Sequence, residues 1–460
     1  MTHPNRPVRM IHALALGFLV TGVLAIHPAK AQSASNMAVL RGLAPVTALP
    51  ASVAGQAALA ANLSITGAIQ SGALKQPTLL PFPEQQQQAL RDAFITGGNA
   101  AELADALGTK LGAVYQGLAH YEDARRFTSV SPAVAALLAY TNETTASDSG
   151  VAKYVFANET MDGTIPASAE AAAILARTGG AGDVFGRAYG HPAGSPGADA
   201  YGNSRPFQTE PSLTPIVGPD YFGVPSGNAA YLRGPDQDLT DSPSFPSGHT
   251  TYGTMEAVLL GILMPERYAQ EITRAAEYGN DRILMGAHYA MDVIGGRALA
   301  LYDVAHLLAN DPAYVGQPRR RAPIITDYRA AVAAARAELQ AALQSGCGDT
   351  IAACAMQDTS RFHNPAANAA LYEATQTYGL PVVQQASSGV TDDVGRIAPE
   401  AGTLLTTAFP FLTLAQADDI LTATEGPGGG FLDTGSAFGL YSRIDLYKAV
   451  QKAVAMRPSR

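Results

Sequence analysis

The sequence predicts an all-α protein, and three observations lead there. Alanine and leucine recur at helical spacing over most of the chain, stretches that alternate as strands do are few, and tryptophan is absent. At 460 residues the chain has room for more than one domain, and no internal repeat divides it.

Read in order, the elements suggest five parts. Residues 1–31 have the layout of a secretory signal peptide: Arg6 and Arg9, an apolar run, then Ala29-Lys30-Ala31 as a cleavage site. The run is short for a membrane span and is interrupted by His12, Gly17 and Gly22, so cleavage near Ala31 and export to the periplasm or medium are expected. Residues 32–115 form an N-terminal helical segment. Within Pro83 to Tyr121 two helices are expected, broken at Gly97-Gly98. Residues 116–310 form the central helical part, with a helix from Ser168 that stops at Gly179-Gly180. Between Gly180 and Pro246 the chain is rich in Gly, Pro, Ser, Asp and Tyr and reads as a long irregular region, of a kind that is usually functional. The Ala-rich stretch from Asp327 to Gly346 reads as a linker helix within 311–346. Residues 347–460 read as a helical tail domain around the flexible Gly426-Pro427-Gly428-Gly429-Gly430.

The formal charge is −9, and loss of Arg6, Arg9 and Lys30 with no acid takes it to −12. An acidic exported protein is a poor nucleic-acid binder, because phosphate backbones need clustered Lys and Arg. Arg319-Arg320-Arg321, following Pro318, reads instead as a solvated linker. No later run is long and uninterrupted enough to cross a bilayer. The two cysteines, Cys347 and Cys354, are too few for a metal site. In an oxidising compartment they suit a local disulfide, with a pair of buried thiols as the alternative.

Chemistry concentrates in three short stretches. In Pro246-Ser247-Gly248-His249 a turn precedes an apolar helix. Such residues also serve as ordinary caps. The same arrangement suits an oxyanion, because a helix N-terminus offers free N–H groups, Gly248 permits close approach, and His249 changes protonation near neutrality. Downstream, His288 and Asp292 lie four apart on what reads as one helix, so that the carboxylate can hold Nδ1–H and leave Nε2 free to attack. Arg282 stands just before them. Upstream, Arg205 is followed by Pro206, which forces extended backbone, and its guanidinium can grip two phosphate oxygens.

Together these stretches resemble the superfamily of type 2 phosphatidic acid phosphatases, bacterial class A acid phosphatases and vanadium haloperoxidases, and in layout most resemble the class A acid phosphatases. The family pattern is KxxxxxxRP, PSGH and SRxxxxxHxxxD. Here it appears as Arg205-Pro206, the complete Pro246–His249, and Arg282, His288 and Asp292 in register, over about residues 198–297. Two positions depart: Asp281 replaces the serine before Arg282, and Ala198 replaces the lysine of the first motif. Lys153 and Arg187, neither in register, are candidates to supply the missing cation.

The resemblance implies a core of packed antiparallel helices with the motifs meeting at one end. It implies hydrolysis of a small phosphomonoester with no metal or other cofactor. His288 would be the nucleophile, Asp292 its orienter and His249 the proton donor to the leaving group. Arg205, Arg282, the Ser247 hydroxyl and the Gly248 N–H would hold the phosphate. Two other readings use the same cradle: a vanadium haloperoxidase, and a non-catalytic phosphate-binding envelope protein. The remaining histidines, among them His191, match no motif.

Overall fold

In the computed structural model the described residues are 32–74, 78–93, 99–123, 126–178, 201–209, 213, 216–219, 221–223, 225–227 and 242–458. The expected signal peptide, Arg187, His191 and Ala198 lie outside them. The described chain is mostly helical, with almost no strand. A short antiparallel pair, β1 (Val217–Pro219) with β2 (Pro225–Gly227), sits in the region that reads as irregular.

Local chemistry accounts for the helix starts. Ser33 caps α1 (Ala34–Leu43), Ser52 caps α2 (Val53–Gln70), Ser131 caps α5 (Pro132–Asn158) and Ser168 caps α6 (Ala169–Arg177). Each accepts an N–H of the first turn that would otherwise lack a partner. Helix α3 covers Phe82–Asp92, and the break expected at Gly97-Gly98 lies outside the described residues. Residues Leu103–Leu107 form a tight three-ten turn, and the next α-helix, α4, covers only Thr109–Leu118. Gly108, at φ 98°, separates that turn from α4, in a backbone conformation that strains a side chain.

Three helices form the centre: α7 (Gly248–Leu263), α8 (Tyr268–Leu284) and α9 (Ala290–Leu308). Every residue of α7 except Tyr252 is buried, and every residue of α9 except His306. Helices apolar on all sides have to be enclosed by others, and α5 packs on both while α8 packs on α7. Helix α8 is buried despite its charges. Arg274 forks onto Asp92 of α3 at 2.7 and 2.6 Å and reaches Asp105 at 3.0 Å, and Arg361 of the tail joins Glu277 and Asp105. Pairing of this kind is what permits charge in a core.

The stretch that reads as a linker is α10 (Tyr328–Cys347). Its buried Tyr328, Val332, Ala335, Leu339 and Leu343 form one face, packed on α5 and α4. Arg319 is not simply solvated: its guanidinium lies over the Tyr140 ring at 5.3 Å. Cys347 and Cys354, at the start of the tail, are joined as a disulfide. The tail helices α11 (Ile351–Met356), α12 (Pro365–Thr377), α13 (Leu414–Ala423), α14 (Ala437–Tyr441) and α15 (Leu446–Ala455) complete the same unit, Gln32–Arg460. Arg297 of α9 donates to the carbonyls of Thr375 and Gln376, and Tyr268 donates to Leu404 O. Among the described residues no single helix is long and apolar enough to cross a membrane.

Candidate active site

Two turns and one long helix build the site. The first turn, Ser242–Ser247, leads into α7. Ser247 is the N-cap, and its Oγ accepts the Thr250 N–H at 3.1 Å. Gly248 and His249 are the first two residues of the helix. The second turn joins α8 to α9. Gly286, at φ 70°, reverses the chain after α8, and the N–H groups of Ala287 and His288 fold back onto Arg282 O. His288 therefore stands in the turn and Asp292 in the first turn of α9. The expectation that both share one helix does not hold. Asp292 reaches back from the first turn: its Oδ2 accepts Tyr289 N–H at 2.9 Å and lies 3.3 Å from His288 Nδ1. Beyond the motifs, α2 caps α9, with Thr66 Oγ1 accepting from Ala290 N–H and Asn62 Oδ1 from Met291 N–H.

The two turns are stitched together. Ser247 N–H donates to Asp292 O at 3.0 Å, and the Thr251 hydroxyl donates to Gly296 O. Gly295 and Gly296 allow the contact. A Cβ at Gly296 would lie 2.4 Å from Ser247 O, and one at Gly295 would lie 2.7 Å from the Phe245 ring. Ser244, which no motif singles out, completes the join: its hydroxyl donates to Asp292 Oδ2 and lies 3.3 Å from His288 Nδ1.

Arg205 fixes the tautomer of His288. Its Nη1 lies 3.1 Å from His288 Nε2 and 2.9 Å from Ala287 O, and its Nε and Nη2 hold Ser242 and Pro243. A guanidinium only donates, so Nε2 must accept, and the proton sits on Nδ1 facing Asp292. Nε2 is therefore a buried lone pair engaged by Arg205 rather than a free one. Burial holds the His288 pKa well below its usual value, and the charges of Arg205 and Lys153 reinforce this. Asp292 is raised to about 6 by burial, opposed by the Ser244 and Tyr289 hydrogen bonds. His249 is buried too, its ring 6.2 Å from that of His288.

Arg282 is fully buried, but the structure does not bring it into hydrogen bonding with His288. Its Nη2 donates to Ala89 O and its guanidinium covers the Tyr278 ring at 5.1 Å. Its Nε and Nη1 meet no hydrogen-bond partner among the described residues, an arrangement that costs free energy unless an anion is bound. Asp281, in place of the family serine, has its pKa pushed well up, by burial first. It hydrogen-bonds to Asp92, so that as a neutral carboxyl it donates to the Arg274-paired carboxylate.

The site thus joins a neutral histidine, its carboxylate, a second histidine and buried cations around a helix N-terminus. Compared with known families, residues 195–310 match the PAP2 superfamily. These residues form a PAP2-superfamily region. Segments of the chain are similar to acid phosphatases. A non-specific acid phosphatase of Salmonella typhimurium is 42% identical over 82 residues, 17% of this chain and 32% of that protein. An acid phosphatase of Zymomonas mobilis is 30% identical over 125 residues, 27% of this chain and 42% of that protein. A non-specific acid phosphatase of Providencia stuartii is 35% identical over 91 residues, 20% and 35%. The chain therefore matches less than half the length of each of these relatives. The PAP2 region ends just after α9, so the tail helices packed on it lie beyond the matched family.

Proposed function

We propose that the protein is an exported acid phosphatase that hydrolyses small phosphomonoesters through a phosphohistidine, without a metal. The observation that carries this is His288 Nε2 held as an acceptor beside Arg205, 3.1 Å away, with Asp292 behind the other ring nitrogen. A buried, neutral imidazole backed by a carboxylate is a nucleophile, and the groups around it are donors and cations, which suit an oxyanion and repel a metal ion.

The ester phosphate lies between Arg205, Arg282, the Ser247 hydroxyl and the Gly248 N–H. Bound there, it draws Arg205 from Nε2 onto its own oxygens. Nε2 attacks phosphorus, the P–O ester bond breaks, and His249 gives its proton to the departing alkoxide. His249 then takes a proton from water. The resulting hydroxide attacks phosphorus, the P–N bond breaks, and inorganic phosphate leaves His288 neutral again. Positioned donors stabilise the charge on the equatorial oxygens in both steps. The domain roles follow: 116–310 carries the chemistry, 32–115 and 311–346 enclose it, and 347–460 packs against it. Residues 1–31 direct export, with cleavage near Ala31.

The test is hydrolysis of p-nitrophenyl phosphate by the mature protein in excess chelator, with acid-quench trapping of phosphohistidine. Activity that vanishes in chelator and returns with Mg²⁺ or Zn²⁺ would refute the metal-free mechanism. Peroxide-dependent halogenation of a dye after vanadate loading, without monoester hydrolysis, would replace the phosphatase with a haloperoxidase. Phosphate binding with neither activity would leave a binding protein.

A further inference from the structure

We propose that Lys153, on helix α5 and outside the family motifs, is the phosphate-binding cation of this site, in place of a lysine in the first motif. The inference rests on the phosphatase reading for the identity of the anion.

Three observations carry it. The side chain is 9% exposed, and its Nζ donates to Pro243 O at 2.6 Å and Ser244 O at 3.4 Å. These carbonyls belong to the turn that leads into the Ser247 cap. Arg205 Nη2 binds the same Pro243 O at 3.3 Å, so the two cations converge on one oxygen and lie within the span of a single phosphate. Second, Lys153 lies against the N-terminus of α7: a Cβ placed on Gly248 would stand 3.3 Å from Lys153 Cε. The ammonium arm thus runs past the backbone N–H groups that would receive phosphate oxygens. Third, its charge reaches the reacting groups. Lys153 disfavours protonation of His288 and favours ionisation of Asp292, as Arg205 does at both.

The cations at the site suit an anion. Lys153, Arg205 and Arg282 all act on His288, and Asp292 is the carboxylate at its side. A phosphate dianion beside these groups would gain charge-assisted bonds from them. Position 198, where the family pattern has lysine, is alanine. A cation delivered from α5 explains how the site keeps its grip on phosphate. It also ties phosphate binding to a helix that the PAP2 match does not include.

The experiment compares wild type, Lys153→Met and Lys153→Arg by calorimetric titration with inorganic phosphate and orthovanadate, alongside p-nitrophenyl phosphate kinetics. Lys153→Met is expected to weaken phosphate and vanadate binding about tenfold and to raise KM by a similar factor, with Lys153→Arg recovering part of both. A folded Lys153→Met protein with unchanged phosphate affinity overturns the proposal, as does a loss that Lys153→Arg does not lessen. The two readings separate. If wild type binds phosphate without hydrolysing the ester, and Lys153→Met loses that binding, the phosphatase reading falls and this one stands. If wild type binds neither anion, both fall. If Lys153→Met does not fold, hydrogen exchange of the wild type decides: orthovanadate is expected to protect residues 149–157, and no protection there overturns the assignment.

Discussion

The backbone carbonyl of Asp292 accepts the N–H of Ser247 at 3.0 Å. The carboxylate that orients His288 and the cap that presents His249 are therefore parts of one rigid join, closed on its other side by Ser244. A change on either turn should be felt at the other.

His288→Ala is expected to lower kcat on p-nitrophenyl phosphate by at least about a thousandfold, since it removes the attacking nitrogen. Asp292→Asn should cost less, because it disturbs the tautomer and keeps the nucleophile. Near-normal turnover in His288→Ala, with the trapped phosphohistidine still present, would move the nucleophile elsewhere.

The position of the acid limb of kcat/KM tests the role of Arg205. Burial and the Arg205 charge keep His288 neutral well below the usual histidine range, so activity should persist under acid conditions. Removing a neighbouring positive charge favours the protonated imidazole and raises its pKa. Arg205→Met should thus shift the acid limb to higher pH, in addition to lowering kcat/KM by about a hundredfold or more. A limb that stays in place would mean that His288 does not set it.

Gly296→Ala should test the join itself. The new methyl would meet the Ser247 backbone, its O at 2.4 Å, and Thr250 Cβ at 3.2 Å. A loss of about 1–3 kcal/mol in urea unfolding is expected, as for overpacking, and a lower kcat because the cap is pushed from Asp292. Full stability together with full activity would show that the turns are not locked together.

Asp148 of α5 and Asp303 of α9 form a second buried pair of carboxyls. Burial raises Asp148 to about 7 and Asp303 well above the carboxylate range, and the charge of Asp148 adds to the shift at Asp303. In the unfolded chain both ionise near the ordinary aspartate value of 3.8. Between that pH and about 7 the folded state holds more protons, so stability falls as pH rises through this window. The protein should be more stable to urea at pH 5 than at pH 8. Asp303→Asn should flatten that difference, and an unchanged slope would remove this pair from the account.

Much of the site is legible in the sequence because it is local. Pro246–His249 reads as a capped turn, and Ser247 does cap α7. Arg282, His288 and Asp292 lie close along the chain, so their spacing alone keeps them near one another. The all-α class follows from helical periodicity, and the serine caps before α1, α2, α5 and α6 from short-range chemistry.

What only the tertiary structure decided is long-range. Helical spacing could not reveal that Gly286 ends α8 before His288, so that Asp292 meets it from a new helix. Nor do Ser244, or Thr66 and Asn62 at the start of α9, carry a local signal, because each acts on a partner distant in sequence. Lys153, ninety residues before Pro243, stands in the sequence only as one of two out-of-register candidates beside Arg187, and packing is what sets it at the cap. The partners that bury the charges of α8, Asp92, Asp105 and Arg361, come from far along the chain. Periodicity records which face of an element is apolar. Which polar group meets which is settled when faces far apart in the chain pack together, and burial then makes each such pairing compulsory.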